Sequence, residues 1–268
     1  GLVYEALQER ARLLQLAPHL VTLEPFLFPI YGIPLLHQGF YGSGIFLYDL
    51  LGARRDGGFS RHLRPSSAIE YAPDLRRRGL TGGIIYHDAV EDDARLAMAV
   101  LRTALRGGAV AATRVHAEGP LLDGERLIGA TVRDLVSDRQ FDIRAERVID
   151  ATGVWAADPE ARFATLEGAD PFVPSRGSHI VIRRDRLPAQ GGLTLRTRGR
   201  VVFIIPWPGH WIIGTTDHPD PRPPEDVSAP EADVDELLET VNKRIDIDLT
   251  KGDIVGTYAG MRPLVGDP

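Results

Sequence analysis

The side chains able to do chemistry in this chain of 268 residues fall into a few short runs. Arg176-Gly177-Ser178-His179 puts a histidine at the start of an apolar stretch. An imidazole with an ordinary pKa of about 6.5 can take a proton from an alcohol near neutral pH, or it can be a hydrogen-bonded structural group. Gly214-Thr215-Thr216-Asp217 offers two hydroxyls and a carboxylate directly after an apolar run. They could meet a polar ligand, or they could end a strand by bonding the backbone. In Tyr258-Ala259-Gly260-Met261-Arg262-Pro263-Leu264 one arginine lies in mostly apolar surroundings. Its planar fork must find an anion, either a protein carboxylate or a ligand phosphate. Val148-Ile149-Asp150-Ala151-Thr152-Gly153-Val154-Trp155-Ala156 reads as an apolar strand running into a small-residue turn. Such a turn lets a dinucleotide or another backbone come close, or is simply tight.

Other chemistries are excluded. There is no cysteine, hence no disulfide, thiolate nucleophile or Cys-based metal site. The eight histidines show no metal-binding spacing, so no metal is expected. A net charge of −6 argues against nucleic acid, which needs a concentrated basic face. The cluster Arg183, Arg184, Arg186, Arg196, Arg198 and Arg200 and the acidic stretch 217–239 read as solvated faces. Arg76-Arg77-Arg78 could touch anionic lipid headgroups. The longest apolar run, Val201 to Trp207, falls far short of the roughly 18 residues a membrane span requires. No signal peptide opens the chain, and a reducing, cytoplasmic compartment is expected.

These residues need elements to position them. Leu2 to Leu16 has helical apolar spacing and ends before Pro18. Pro25, Pro29 and Pro34 punctuate an extended stretch, and Tyr41 to Leu51 predicts a second helix. Ile84 to Tyr86 predicts a short strand, followed by a helix that opens at Asp92-Asp93 and stops at Gly107-Gly108. Ala109 to Val115 predicts a strand, Leu127 to Val136 and Phe141 to Ala145 an antiparallel pair, and Arg147 to Asp150 a short buried strand. After Pro174 the period becomes two: strands at His179–Ile182, Arg200–Ile205 and Trp211–Thr215, a helix at Ala232–Arg244 and a strand at Ile254–Tyr258. The fold class is mixed α/β, with a separate antiparallel sheet carrying a helix.

One ordered set of runs has a wider likeness: Glu5-Ala6-Leu7-Gln8-Glu9-Arg10, Leu16-Ala17-Pro18-His19, Asp92-Asp93-Ala94-Arg95-Leu96, Ala151-Thr152-Gly153-Val154-Trp155, Gly177-Ser178-His179, Ile205-Pro206-Trp207, Gly214-Thr215-Thr216-Asp217 and Met261-Arg262-Pro263-Leu264. Over nearly the whole chain, and in order, it resembles the FAD-dependent (quinone-linked) glycerol-3-phosphate dehydrogenases. The resemblance implies an incomplete glutathione-reductase-type FAD domain interleaved with an antiparallel-sheet substrate domain. Residues 1–77 would belong to the substrate domain, 78–162 to the FAD domain and 163–268 to a truncated substrate domain. It further implies that Val115 meets the adenine through its backbone and that Ala151, Thr152, Gly153 and Trp155 line FAD. His179 would face the substrate hydroxyl, and Arg262 would bind the substrate anion, with Thr215 and Thr216 as lesser ligands. Where the family turn often carries Pro after Ala-Thr-Gly, this chain has Val154.

The implied reaction is oxidation of glycerol 3-phosphate to dihydroxyacetone phosphate, with electrons passing through FAD to a quinone and peripheral attachment at the inner face of the cell membrane. The chain begins without Met and reads as an internal piece. The Gly-rich FAD turn and an Arg–Tyr pair are expected upstream and a Gly-Gly-Lys motif downstream, so the piece alone is not expected to turn over. His179 and Arg262 are expected to converge on one cavity beside the turn at 151–153. Two other readings compete: an amine or amino-acid oxidase of the same fold, and a non-catalytic ligand-binding module.

Overall fold

A computed structural model describes residues 2–32, 60–157, 172–196 and 201–265. The predicted helix at Tyr41–Leu51 lies outside them. The chain forms two compact units, each described by itself. The first comprises Gly1–Val100, Ser178–Thr216 and Ala229–Tyr258; the second comprises Leu101–Gly177, Asp217–Ser228 and Ala259–Pro268.

In the first unit, α1 (Leu2–Leu16) turns its Leu7 and Ala11 inward and leads into β1 (Val21–Tyr31). β1 pairs antiparallel along its length with β3 (Leu80–Glu91). On its other side it meets the parallel strand β8 (Gly192–Arg196) only at Phe26 and Leu27. Pro25 and Pro29 flank that short contact, so their missing N–H groups take little from the ladder. The stretch read as extended around Pro25 and Pro29 is therefore a full strand.

β2 (Arg61–Leu63), β7 (Phe172–Arg183), β9 (Val201–Trp207) and β10 (His210–Gly214) complete the order β7-β10-β9-β8-β1-β3-β2, and β12 (Ile254–Val265) pairs with β7. Alternate residues of these strands face one side. Ile180, Ile182, Leu193, Leu195, Ile204, Trp211 and Ile213 are buried there. They join α2 (Pro65–Tyr71) and α4 (Glu231–Asn242) in one cluster. Val234, Leu237, Leu238 and Val241 of α4 sit at i, i+3, i+4 and i+7, the spacing of a helix face laid on a sheet. Each fully buried side chain of this kind stabilises by about 1.5–3 kcal/mol.

α3 (Asp93–Arg106) starts where the Asp92 carboxylate accepts the Arg95 N–H at 3.1 Å, and it stops at Gly108, whose φ is +92°. In the second unit β4 (Val115–Asp123), β5 (Arg126–Asp134) and β6 (Arg139–Arg144) form an antiparallel meander, which agrees with the predicted pair. β11 (His218–Pro219) pairs with Arg176 and Ser175 of β7.

Two predicted strands are corrected. Residues 109–114 form no strand, and Val115 opens β4 rather than ending a strand. Residues 147–150 form none either, and Ile149 is 85% exposed. A strand needs a neighbouring strand for its backbone N–H and C=O groups, and among the described residues no strand pairs with either segment, the Arg114 carbonyl accepting the Leu135 N–H just before β4.

Candidate active site

The period-two pattern that buries Ile180 against Ile213 turns the intervening residues to the opposite face. There the cross-strand pairs are His179 with Gly214, Val181 with Ile212, and Arg183 with His210. Gly214 is required at its position. A Cβ there would lie 2.1 Å from Cδ2 of His179, so any other residue would collide with the imidazole. The Tyr258 ring lies parallel to the imidazole, with centroids 4.7 Å apart and planes 7° from each other. His179 is thus seated in a notch left by a missing side chain and stacked on an aromatic ring. Burial raises the Tyr258 phenol above its ordinary pKa.

Beside this pair the same face of the sheet opens into a cavity of about 870 Å³, lined among others by Phe26, Tyr86, Val181, Phe203, Ile212 and Tyr258. Phe26 stacks near Tyr86 at 5.8 Å and meets Phe203 edge-on at 6.4 Å. The Tyr86 hydroxyl and Thr194 Oγ1 are hydrogen-bonded at 2.7 Å. The walls are mostly apolar and aromatic, as suits a flat ring system.

Thr216 does not face open space. Its buried hydroxyl accepts the Ser178 N–H at 2.9 Å and donates to Asp233 at 3.0 Å, while the Ser178 hydroxyl donates to the same carboxylate. The substrate role expected of Thr216 is corrected accordingly, because both its donor and its acceptor capacity serve to tie β7 and β10 to α4. Thr215 is half-buried, and its hydroxyl donates to the Thr216 carbonyl at 2.9 Å.

In the second unit Arg262 has found a protein carboxylate: Nη1 donates to Asp217 Oδ1 at 3.1 Å. Ser175 donates to the same oxygen. The Arg262 side chain keeps 38% of its exposure, so the guanidinium is held but not enclosed. Asp220 is buried and accepts from both Arg176 and Arg222. Hydrogen bonds from Arg222 first, then Arg176, hold its carboxyl well below the usual range.

The turn 150–153 is exposed and internally tied. Asp150 accepts the Thr152 N–H at 3.0 Å and its hydroxyl at 2.6 Å. Gly153 has φ +63° with nothing within 4 Å of where a Cβ would stand, so a ligand can approach its backbone freely. Trp155 is 46% exposed and donates through Nε1 to Glu225 at 2.6 Å. Val115 is half-buried at the start of β4 and paired with Asp134.

The sequence pattern of the family described as FAD dependent oxidoreductase matches residues 1–268. The chain belongs to that family. Among relatives of this flavoenzyme-family chain, glycerol-3-phosphate dehydrogenase of Mycobacterium leprae (strain TN) is 42% identical over 266 residues, 99% of this chain and 45% of that protein. The mitochondrial glycerol-3-phosphate dehydrogenase of Macaca fascicularis is 35% identical over 277 residues, covering 100% of this chain and 38% of that one. The X-ray structure of the Bacillus halodurans glycerol-3-phosphate dehydrogenase complexed with FAD superposes with a TM-score of 0.81 at 27% identity, covering 97% of this chain and 47% of that one. The chain therefore spans about half the length of such relatives or less. L-proline dehydrogenase from P. horikoshii, with a TM-score of 0.74 at 17% identity, shares the fold.

The residues present fit the family's cofactor on structural grounds: the second unit holds an exposed, glycine-opened turn whose backbone a ligand can approach freely. Sequence reasoning missed the notch at Gly214, the stack on Tyr258, the aromatic wall and the carboxylate partner of Arg262. The alternation of β7, β9 and β10 marked which residues share a face, but no local signal told which strands are neighbours.

Proposed function

We propose that the protein containing this chain oxidises sn-glycerol 3-phosphate to dihydroxyacetone phosphate, with FAD as cofactor and a quinone as the final acceptor. It would work from the cytoplasm, attached peripherally to the inner face of the cell membrane. Among the described residues no helix is long and apolar enough to cross a membrane. The observation that carries the reading is His179, seated against Gly214 and Tyr258 at the side of the aromatic cavity. Family membership and relatives that carry the dehydrogenase name support it.

In this reading Ala151, Thr152, Gly153 and Trp155, with the Val115 backbone, hold FAD. When bound, FAD supplies the acceptor for the carbinol hydrogen and its electron pair. The chain's own residues do the rest. The His179 imidazole takes the hydroxyl proton. Arg262 binds the phosphate dianion through its fork, aided by Thr215, and so fixes the carbinol carbon in place. The apolar walls keep water from the reacting atoms.

In the full-length protein, His179→Ala should lower turnover about 10²- to 10⁴-fold with the flavin absorbance retained. Turnover near wild type would remove His179 from the role. The rival amine or amino-acid oxidase needs an anchor for a carboxylate instead of a phosphate. Anaerobic flavin bleaching with a panel of glycerol 3-phosphate, amino acids and amines separates the two, and bleaching by the amino acids alone would overturn the proposal.

A further inference from the structure

Tyr258 has no part in the chemistry described above, yet its ring is the group packed flat on the imidazole. We infer that Tyr258 is the positioning residue of the reaction: its ring, not its hydroxyl, sets the plane of the His179 imidazole at the side of the cavity. The inference rests on the reading of His179 as the proton acceptor.

Four observations carry it. The two rings lie 4.7 Å apart and 7° from parallel, a face-to-face geometry that fixes the tilt of the imidazole about its χ2. Gly214 removes the Cβ that would stand 2.1 Å from Cδ2, so the imidazole lies against the β10 backbone on one side while the Tyr258 ring covers its face. Replacing Tyr258 by a side chain without a ring removes the contact on that face. Tyr258 also lines the cavity that Val181, two residues along β7 on the same face as His179, helps to form. The ring that holds the histidine is therefore also a wall of the space where a substrate would sit. Tyr258 and His179 come from β12 and β7, which are paired strands, so the stack is supported by a backbone ladder rather than by a loop.

A general base is effective only within hydrogen-bond reach and in line with the proton it takes, and a displacement of about 1 Å can lower the rate about 10²-fold. The stack is thus expected to act on kcat through the imidazole and to leave KM nearly alone.

The test uses the full-length flavoprotein with three substitutions: Tyr258→Phe, which keeps the ring; Tyr258→Leu, which keeps apolar bulk without a ring; and Tyr258→Leu combined with His179→Ala. Tyr258→Phe should stay within about twofold of wild type. Tyr258→Leu should lose about 10- to 100-fold in kcat, with KM for glycerol 3-phosphate and flavin content little changed. In the His179→Ala background the same substitution should cost nothing more, since two residues acting through one another are non-additive. Independently of activity, histidine labelled at Cε1 gives one NMR signal that His179→Ala abolishes. Ring-current shielding should be lost from that signal in Tyr258→Leu and kept in Tyr258→Phe.

A Phe variant as impaired as Leu, an additive double variant, or a His179 signal that does not move would each overturn the inference. Near-wild-type turnover of His179→Ala overturns the catalytic reading instead, and is recognised because the ring-current change in Tyr258→Leu would still be seen.

Discussion

Arg262 and Gly214 act at the scale of single side chains. Arg262 is held by Asp217, the protein-carboxylate reading of an arginine in apolar surroundings, while its side chain keeps part of its exposure. A charged hydrogen bond contributes about 1.5–3 kcal/mol. Arg262→Ala in the full-length protein should therefore raise KM for glycerol 3-phosphate about 10- to 100-fold, measured by steady-state kinetics; an unchanged KM would leave Arg262 as a purely structural partner of Asp217. Gly214→Ala should displace the imidazole of His179, since the added carbon would stand 2.1 Å from Cδ2. The expected result is at least about a tenfold fall in turnover with flavin still bound, read from activity and the visible spectrum together. Turnover equal to wild type would mean that the ring's position is not critical. The histidine and the arginine were legible in the sequence as residues that must find partners. Their partners were not, because Asp217 and Gly214 stand far along the chain from them and nothing near either residue points to the other.

At the scale of elements, the sheet of the first unit is joined to α4 through one carboxylate. Asp233, in the first turn of α4, accepts from the Ser178 and Thr216 hydroxyls, both buried. Removing it leaves two buried donors without that acceptor, at about 1–3 kcal/mol for each orphaned group. Asp233→Ala should lower the denaturant midpoint correspondingly, and a midpoint within error of wild type would show that the hydroxyls find other partners. The strands β7, β9 and β10 were legible because period-two alternation is what a sheet with one buried face demands. The stretch punctuated by Pro25 and Pro29 was read as extended, and it is the strand β1, which pairs throughout with β3, the prolines falling on the side where contact with β8 is brief. Residues 109–114 and 147–150 failed for the opposite reason. Apolar composition says that a segment would gain by burial, not that a neighbouring strand is there to bury it.

At the scale of the molecule, charge arrangement links the second unit's stability to pH. Arg222 and Arg176 hold the Asp220 carboxyl below its ordinary value, so folding is favoured by its ionised form. That contribution is present above the unfolded pKa of about 3.9 and is lost as pH falls from there toward the folded value. Asp220→Asn should lower Tm by several degrees at pH 6, and the gap to wild type should close as pH drops below about 4, measured by calorimetry of the full-length protein. A gap independent of pH would assign the effect to shape rather than charge. Composition and spacing alone were enough to specify a mixed α/β chain without cysteine chemistry, the alternating strands, the capped α3 and the residues worth testing, because these follow from contacts within a few positions. Which residues meet was settled only by the fold: Tyr258 on His179, the gap at Gly214, Asp217 on Arg262, Thr216 turned to Asp233. Strand order and register bring together positions dozens of residues apart, and that pairing depends on the packing of the whole sheet, which no local pattern encodes.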